Sequence, residues 1–288
     1  MNQPPCHKAA ENLQQKLELR IISPDSGLNP PKTYAHCDDY YIFGIIDHGS
    51  TRIECDFREI TLGQGELMFV KPWQIHRFIS STKLHARIMF ADSSLISNRS
   101  SMIFEDAFLH GFSIRTTTET LKELSQLFDI IRSHTDSPPL TESIGKAFTD
   151  LFADTLVIDH TDTPGVSQRQ RQHYLLFRKA LTMHIRSSRS PSYYADLLSL
   201  SPVYLNEIVK RISGMSVTGN IQTEIVLQAK RMLAYSDMTV KEISCALGFD
   251  DSSYFNRLFR QISGTTPAKF RQNLESSGSN LNPSIDSR

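Results

Sequence analysis

Cysteine is scarce in this sequence, with four in 288 residues: Cys6, Cys37, Cys55 and Cys245. None has Cys-x-x-Cys spacing, so neither a disulfide framework nor a zinc motif is expected, and a reducing cytoplasm fits. No run of eighteen apolar residues occurs, which argues against a membrane span. The opening Met1-Asn-Gln-Pro-Pro-Cys6 lacks the charged and apolar regions of a signal peptide. No phosphate-cradling loop and no nucleophile elbow is written in the chain. Net charge is missing too, since 31 Lys and Arg balance 31 Asp and Glu. That zero is unevenly built. Residues 165–275 carry 15 Lys and Arg against 8 Asp and Glu, a balance of +7; residues 1–164 carry 15 against 22, a balance of −7. Such asymmetry between halves points to two domains with different partners, the basic one suited to a polyanion.

What is present is a repeat. Tyr204-Leu-Asn-Glu-Ile-Val-Lys-Arg-Ile-Ser-Gly214 returns 50 positions later as Tyr254-Phe-Asn-Arg-Leu-Phe-Arg-Gln-Ile-Ser-Gly264. A supersecondary unit repeated at fixed spacing sets the architecture. Leu205, Ile208, Val209 and Ile212 fall at i, i+3, i+4, i+7, as do Phe255, Leu258, Phe259 and Ile262. Each set lines one side of a helix. Gly214 and Gly264 stand where a left-handed cap needs no Cβ. The other faces carry Asn206, Glu207 and Lys210 in the first copy, and Ser253, Asn256, Arg257 and Arg260 in the second.

An amphipathic segment precedes each copy: Ser192–Leu200 before Ser201-Pro202, and Thr239–Phe249 before Asp250-Asp251-Ser252. Thr239 and Glu242 have capping-box spacing, Gly248 supplies a turn, and Pro202 suits a first helical turn. Two helices joined by a short turn form the arrangement whose second helix enters the major groove. Between the copies, Asn220–Tyr235 reads as one helix of roughly 25 Å. It would hold two second helices near successive groove faces, about 34 Å apart. A plain helical pair with no ligand would show the same apolar stripes; the basic balance favours DNA.

These residues resemble the AraC/XylS family of bacterial transcription regulators. The resemblance covers roughly Ser190 to Asn273 and is densest in Val240-Lys-Glu-Ile-Ser-Cys-Ala-Leu-Gly-Phe-Asp-Asp-Ser-Ser-Tyr-Phe-Asn-Arg-Leu-Phe-Arg260 and Gly264-Thr-Thr-Pro-Ala-Lys-Phe-Arg271. It implies two helix-turn-helix units joined by a long helix. It also implies that Val203, Asn206 and Glu207 in the first unit, and Ser252, Ser253, Asn256 and Arg257 in the second, face bases. Asn can read adenine and Arg guanine through paired hydrogen bonds. Lys210, Arg211 and Arg260 are expected at phosphates, which orient without specifying. The chain departs from the family at Glu207, Val209 and Ile225, where Arg, Phe and Arg are frequent. Glu207 cannot neutralise a phosphate, so it either accepts from a cytosine amino group or stays a solvated surface charge.

The N-terminal half changes rhythm. Short apolar runs at 40–46, 51–55, 59–62, 66–70, 77–79 and 84–90 are divided by Gly, Asp, Ser or Pro. They predict strands of a barrel or sandwich over about 15–92. Gly63-Gln-Gly65, Pro72 and His76 resemble the later part of a cupin-like barrel, the regulatory domain in family members of this layout. Metal-binding cupins need clustered His and carboxylate ligands. Only His76 has the expected context, no His-x-His pair occurs in the barrel, and His36, His48 and His85 are scattered. Neither a metal, nor a cofactor, nor catalysis is expected. An interior of Phe43, Ile45, Phe69, Trp73 and Phe78, with Tyr40, Tyr41 and His76 as polar groups, would suit a small effector or simply form a core. No ligand residues are assigned. Stripes in 117–134 (Leu121, Leu124, Leu127, Phe128, Ile131) and 141–160 (Ile144, Phe148, Leu151, Phe152, Leu156) predict two helices. They would serve self-association or pack on the barrel.

The expected fold is therefore α+β in two domains. A cupin-like β-barrel with trailing helices spans 1–160, a linker 161–172, the tandem helix-turn-helix domain 173–275, and a disordered tail 276–288. The expected protein is a cytoplasmic regulator reading double-stranded promoter DNA. On the resemblance, it would be an activator acting with RNA polymerase, tuned by a small-molecule effector and working as a homodimer. Two other classes stay open: a metal-dependent cupin enzyme fused to a DNA-binding module, and an effector-independent DNA-binding protein.

Overall fold

A computed structural model describes residues 6–9, 13, 16–24, 32–110, 113–160, 165–185 and 187–276. The expected tail from 277 onward lies outside them. The chain divides into two compact units, one over Pro4–Thr161 and one from Asp162 onward. The first is rich in strands and the second helical, so the architecture is α+β, as the rhythm change predicts.

In the first unit, strands β1 (Cys6–His7) and β3 (Cys37–Asp38) pair in parallel. The larger sheet uses β2 (Leu17–Ile22), β4 (Tyr41–Cys55), β5 (Arg58–Gly63), β6 (Glu66–Val70), β7 (His76–Ala91) and β8 (Ser113–Arg115). Its order is β2-β7-β4-β6-β8, with β5 on β4. Sequence rhythm divides β4 and β7 into two short strands each; the structure joins them. The polar stretch Asp47–Ser50 stays paired with residues 82–85 through register shifts, which let a strand bend without leaving its partner. Gly49 makes this possible. Its φ is +75°, and a Cβ there would stand 2.3 Å from the carbonyl oxygens of Thr82 and Lys83.

Alternation along β4 sends Tyr41, Phe43 and Ile45 to one face and Ile42 and Ile46 to the other. The first face packs under helices α1 (Asn98–His110), α2 (Thr118–Ser133) and α3 (Pro138–His160). Phe43 sits among Phe104 at 5.4 Å and Phe152 at 5.0 Å between ring centroids. The second face carries its own cluster of Tyr40, Ile42, Ile46, Cys55, Leu62, Met68, Val70, Leu84, Ala86 and Ile88. This corrects the expected interior. Phe43, Ile45 and Phe69 belong to the helix-covered face, and Trp73 stands 58% exposed in the turn before β7. Both helical stripes are used within the unit, since Leu124, Phe128, Ile131, Phe148 and Phe152 are buried against the sheet. Helix α3 begins at Pro138, not after the Pro-Pro pair, because proline fits a first turn. Helix α1 has no counterpart in the sequence reading.

The second unit holds α4 (Gln168–His184), α5 (Pro191–Leu197), α6 (Pro202–Ser213), α7 (Val217–Tyr235), α8 (Val240–Ala246), α9 (Ser252–Ser263) and α10 (Pro267–Ser276). A capping box between Ser167 and Gln170 starts α4. So 168–172 of the expected linker is helix, and 161–164 lie outside the described residues.

Candidate nucleic-acid interface

Each copy of the repeat forms a helix with one buried side. Leu205, Ile208 and Val209 of α6 are buried, as are Phe255, Leu258 and Phe259 of α9. Ile262 closes its stripe at the surface, 36% exposed. The Ser201 hydroxyl accepts the N–H of Tyr204, and the Asp251 carboxylate accepts that of Ser253. These caps satisfy donors left over at a helix start. Both helices end on glycine with φ near 75°, at Gly214 and Gly264.

The repeated Ser-Gly has a local cause. Ser213 Oγ donates to Val209 O at 2.8 Å and accepts from Met215 N at 3.3 Å; Ser263 Oγ donates to Phe259 O at 2.7 Å and accepts from Thr265 N at 3.4 Å. One hydroxyl thus closes the helix and fixes the exit of the chain in both copies.

The leading helices pack as the turn requires. Helix α5 precedes α6 through a turn with Ser199 at φ 55°. The Thr239–Glu242 capping box opens α8, and Gly248 turns the chain with φ 80°. The Arg189 guanidinium donates to Gly248 O and lies 4.4 Å over the Phe249 ring. Helix α7 has 19 residues, about 28 Å at 1.5 Å per residue. Both α6 and α9 pack against it. Arg271 ties its far end down, donating to Leu233 O at 3.0 Å, Ser236 O at 3.2 Å and Met238 O at 2.7 Å. The final Arg of the Gly264–Arg271 motif therefore satisfies carbonyls at a helix end. Its role is not legible from spacing.

The residues expected to face bases lie on the two second helices. Val203 is 70% exposed at the start of α6, and Glu207 is exposed one turn on. Asn206 is exposed, but its side-chain oxygen accepts Val217 N at 3.1 Å. On α9, Ser253 and Arg257 are exposed, while Ser252 and Asn256 are half-buried. Asn256 Nδ2 donates to Ser252 O at 2.9 Å. Lys210, Arg211 and Arg260 are exposed in the last turns of their helices. Arg211 Nη1 also donates to Gly165 O at 3.2 Å. Each second helix thus offers a polar outer face beside a buried apolar one.

Comparison with known proteins matches residues 194–273 to a helix-turn-helix domain model and residues 31–149 to an AraC-like ligand binding domain model. The chain is 31% identical over 80 residues to the regulatory protein PocR of Salmonella typhimurium, covering 28% of this chain and 26% of PocR. It is 32% identical over 81 residues to the arabinose operon regulatory protein of Escherichia coli, covering 28% of each. These alignments span under a third of those relatives. A longer alignment, 23% identical over 250 residues, covers 84% of this chain and 88% of the transcriptional activator RhaS of an Enterobacter species. Among solved structures, ToxT of Vibrio cholerae aligns with TM-score 0.40 at 11% identity, covering 89% of this chain and 97% of ToxT.

Proposed function

Because the chain belongs to the AraC family of transcription regulators, we propose that it reads promoter DNA through α6 and α9 and activates transcription under control of its N-terminal unit. The observation that carries this reading is the matched pair of helices, each buried on one side and polar on the other, packed on one connecting helix. Two such helices on one spacer suit successive major-groove faces. Val203 would lie against a thymine methyl, with Glu207 nearby. Ser252, Ser253, Asn256 and Arg257 would read the second half-site. Lys210, Arg211 and Arg260 would hold phosphates.

The N-terminal unit would take the effector, on the support of its match to a ligand-binding domain model. Self-association into a homodimer cannot use the apolar stripes of α2 and α3, which are buried in the unit's own core. It would use their outer surface, where Ile130 and Leu140 are 42% and 41% exposed. Contact with RNA polymerase and a cytoplasmic location complete the reading. No described helix is long and apolar enough to cross a membrane.

The test is selection of bound DNA from a random pool with the full chain, at stated near-physiological salt. Two conserved blocks about one helical turn apart are expected. A single block would remove α6 from base reading, and no enrichment with or without added effectors would overturn specific regulation.

A further inference from the structure

The first unit gathers a set of ligating side chains from three separate stretches of chain. His7, on β1, stands opposite Asp38, on β3, in the parallel pair. His36 and His76 face each other across a backbone bridge, with ring centroids 4.3 Å apart. Donor atoms of His7, His36 and Asp38 all lie within 4.8 Å of one another. His76 adds a fourth donor and third nitrogen, its Nε2 3.3 Å from Asp38 Oδ2. From this arrangement we propose that His7, His36 and Asp38, completed by His76, bind a first-row divalent transition metal of the Zn2+ type.

Geometry and chemistry agree on that ligand class. His36 Nδ1 is held by Tyr34 O at 2.9 Å and His76 Nδ1 by Gln74 O at 3.1 Å. A carbonyl accepts only, so each ring places its proton on Nδ1 and turns the Nε2 lone pair toward Asp38. A backbone partner that fixes the tautomer in this way is the usual outer support of a metal-bound histidine. Asp38 Oδ2 then faces Nε2 of His76 at 3.3 Å and Nε2 of His36 at 3.9 Å. Such an arrangement is relieved either by a second proton on the ring, as where His7 Nδ1 lies 2.9 Å from Asp38 Oδ1, or by a cation that all four groups share. Ligands at about 2.05 Å from a tetrahedral ion would stand roughly 3.4 Å apart, near these separations. The side chains of Asp38 and His36 are 3% and 8% exposed, so the donors converge in a shielded place. Three imidazoles and one carboxylate suit zinc and its neighbours better than calcium or magnesium.

Two neighbours define the site further. Lys32 Nζ lies 3.0 Å from His7 Nε2 and 3.1 Å from its Nδ1. A bound ion would take that place, and the flexible lysine stem can swing away. Cys6 pairs with Cys37 one residue before His7 and Asp38. Strand alternation puts the thiols on the opposite face, which makes this an N/O site without sulfur. The sequence signal was His36-x-Asp38, a variant of a paired-ligand strand. His7 lies far from it in sequence, and only the β1–β3 pairing brings it in. The proposal stands independently of how the second unit reads DNA.

The experiment is calorimetric titration of Zn2+ into the full chain after chelator dialysis, with Co2+ as a spectroscopic probe. One ion per chain is expected. Co2+ should give an intense visible band of four-coordinate geometry without a thiolate charge-transfer band. Asp38→Asn and His36→Gln should each weaken binding by at least the roughly 10–100-fold that losing an outer-shell partner costs. His7→Gln lies on a two-residue strand outside both apolar clusters, so it keeps the fold and must still weaken binding. His48 and His85 form a second ring pair at 6.0 Å, and His48→Gln should leave affinity unchanged. Absence of stoichiometric binding, affinity that survives both His7→Gln and Asp38→Asn, or loss with His48→Gln would each overturn the site.

Discussion

The side-chain oxygen of Asn206 accepts the backbone N–H of Val217 at 3.1 Å, joining the outer face of α6 to the first residue of α7. The repeat breaks at this point. The residue eleven places after Asn256 is Pro267, which has no N–H to offer. Asn256 turns its amide to Ser252 O instead. Identical residues at matching positions therefore do different work. Asn206→Ala should cost about 0.5–2 kcal/mol, the range for a lost helix-start acceptor. Asn206→Asp keeps the oxygen and most of the stability. Asn256→Ala should leave stability nearly unchanged while altering base preference. Chemical unfolding of the full chain, beside DNA selection with the same variants, separates the two; equal destabilisation by both alanines would refute the distinction.

Charge on the outer faces predicts two kinds of DNA defect. Arg257→Ala should lose roughly 1–3 kcal/mol at one base position, while Lys210→Ala should weaken all sequences alike. The second should also reduce the slope of log affinity against log salt by about 0.9. Binding isotherms at several salt concentrations, on matched and single-base-changed sites, report both quantities. A uniform loss with Arg257→Ala would move that residue to the phosphate set.

The helix-turn-helix units were legible because their signals are local. The Thr239–Glu242 capping box, Pro202 and the glycines at 214, 248 and 264 act within a turn of where they stand, and each apolar stripe is complete within eight residues. Helix α7 was legible too, though it starts at Val217 because Ser216 caps it. The N-terminal unit was less so. Which face of β4 points to the helices depends on partners over a hundred residues away, such as Phe152, and alternation alone does not say which side is inward. Aromaticity alone places Trp73 in an interior, whereas the residue sits in a turn at φ 66° with its side chain exposed. The His7–Asp38 contact was hidden for the same reason, since a two-residue strand has no periodicity to read.

Two glycine caps give a clean measure of backbone strain. Gly214 and Gly264 have φ of +75° and +76°, and a Cβ on either would meet nothing within 4 Å. Substitution therefore adds conformational cost without a clash. Gly214→Ala and Gly264→Ala should each destabilise by about 1–2 kcal/mol, the left-handed penalty of a side chain. Asn, which tolerates that region, should cost less at both sites. Denaturant midpoints compared at constant m-value test this. An Ala cost well above that range would mean that the turn itself rearranges.

Acid should loosen the second helix-turn-helix unit through its caps. The Thr239 backbone N–H holds the Glu242 carboxyl below its ordinary range, and the Ser253 backbone N–H does the same for Asp251. A carboxyl whose value is depressed by folding contributes stability that is fully present above its unfolded value. That contribution is lost as pH falls through the folded value. Glu242→Gln with Asp251→Asn keeps an acceptor oxygen at each cap but removes the charge. The melting temperature of wild type should therefore exceed that of the double variant at neutral pH. The gap should close as pH drops through and below the usual carboxylate range, where the wild-type caps become neutral as well. Both groups are exposed, so the gap is expected to be small and to shrink with salt. A gap that persists unchanged into acid would assign the caps' effect to hydrogen-bond geometry and not to their charge.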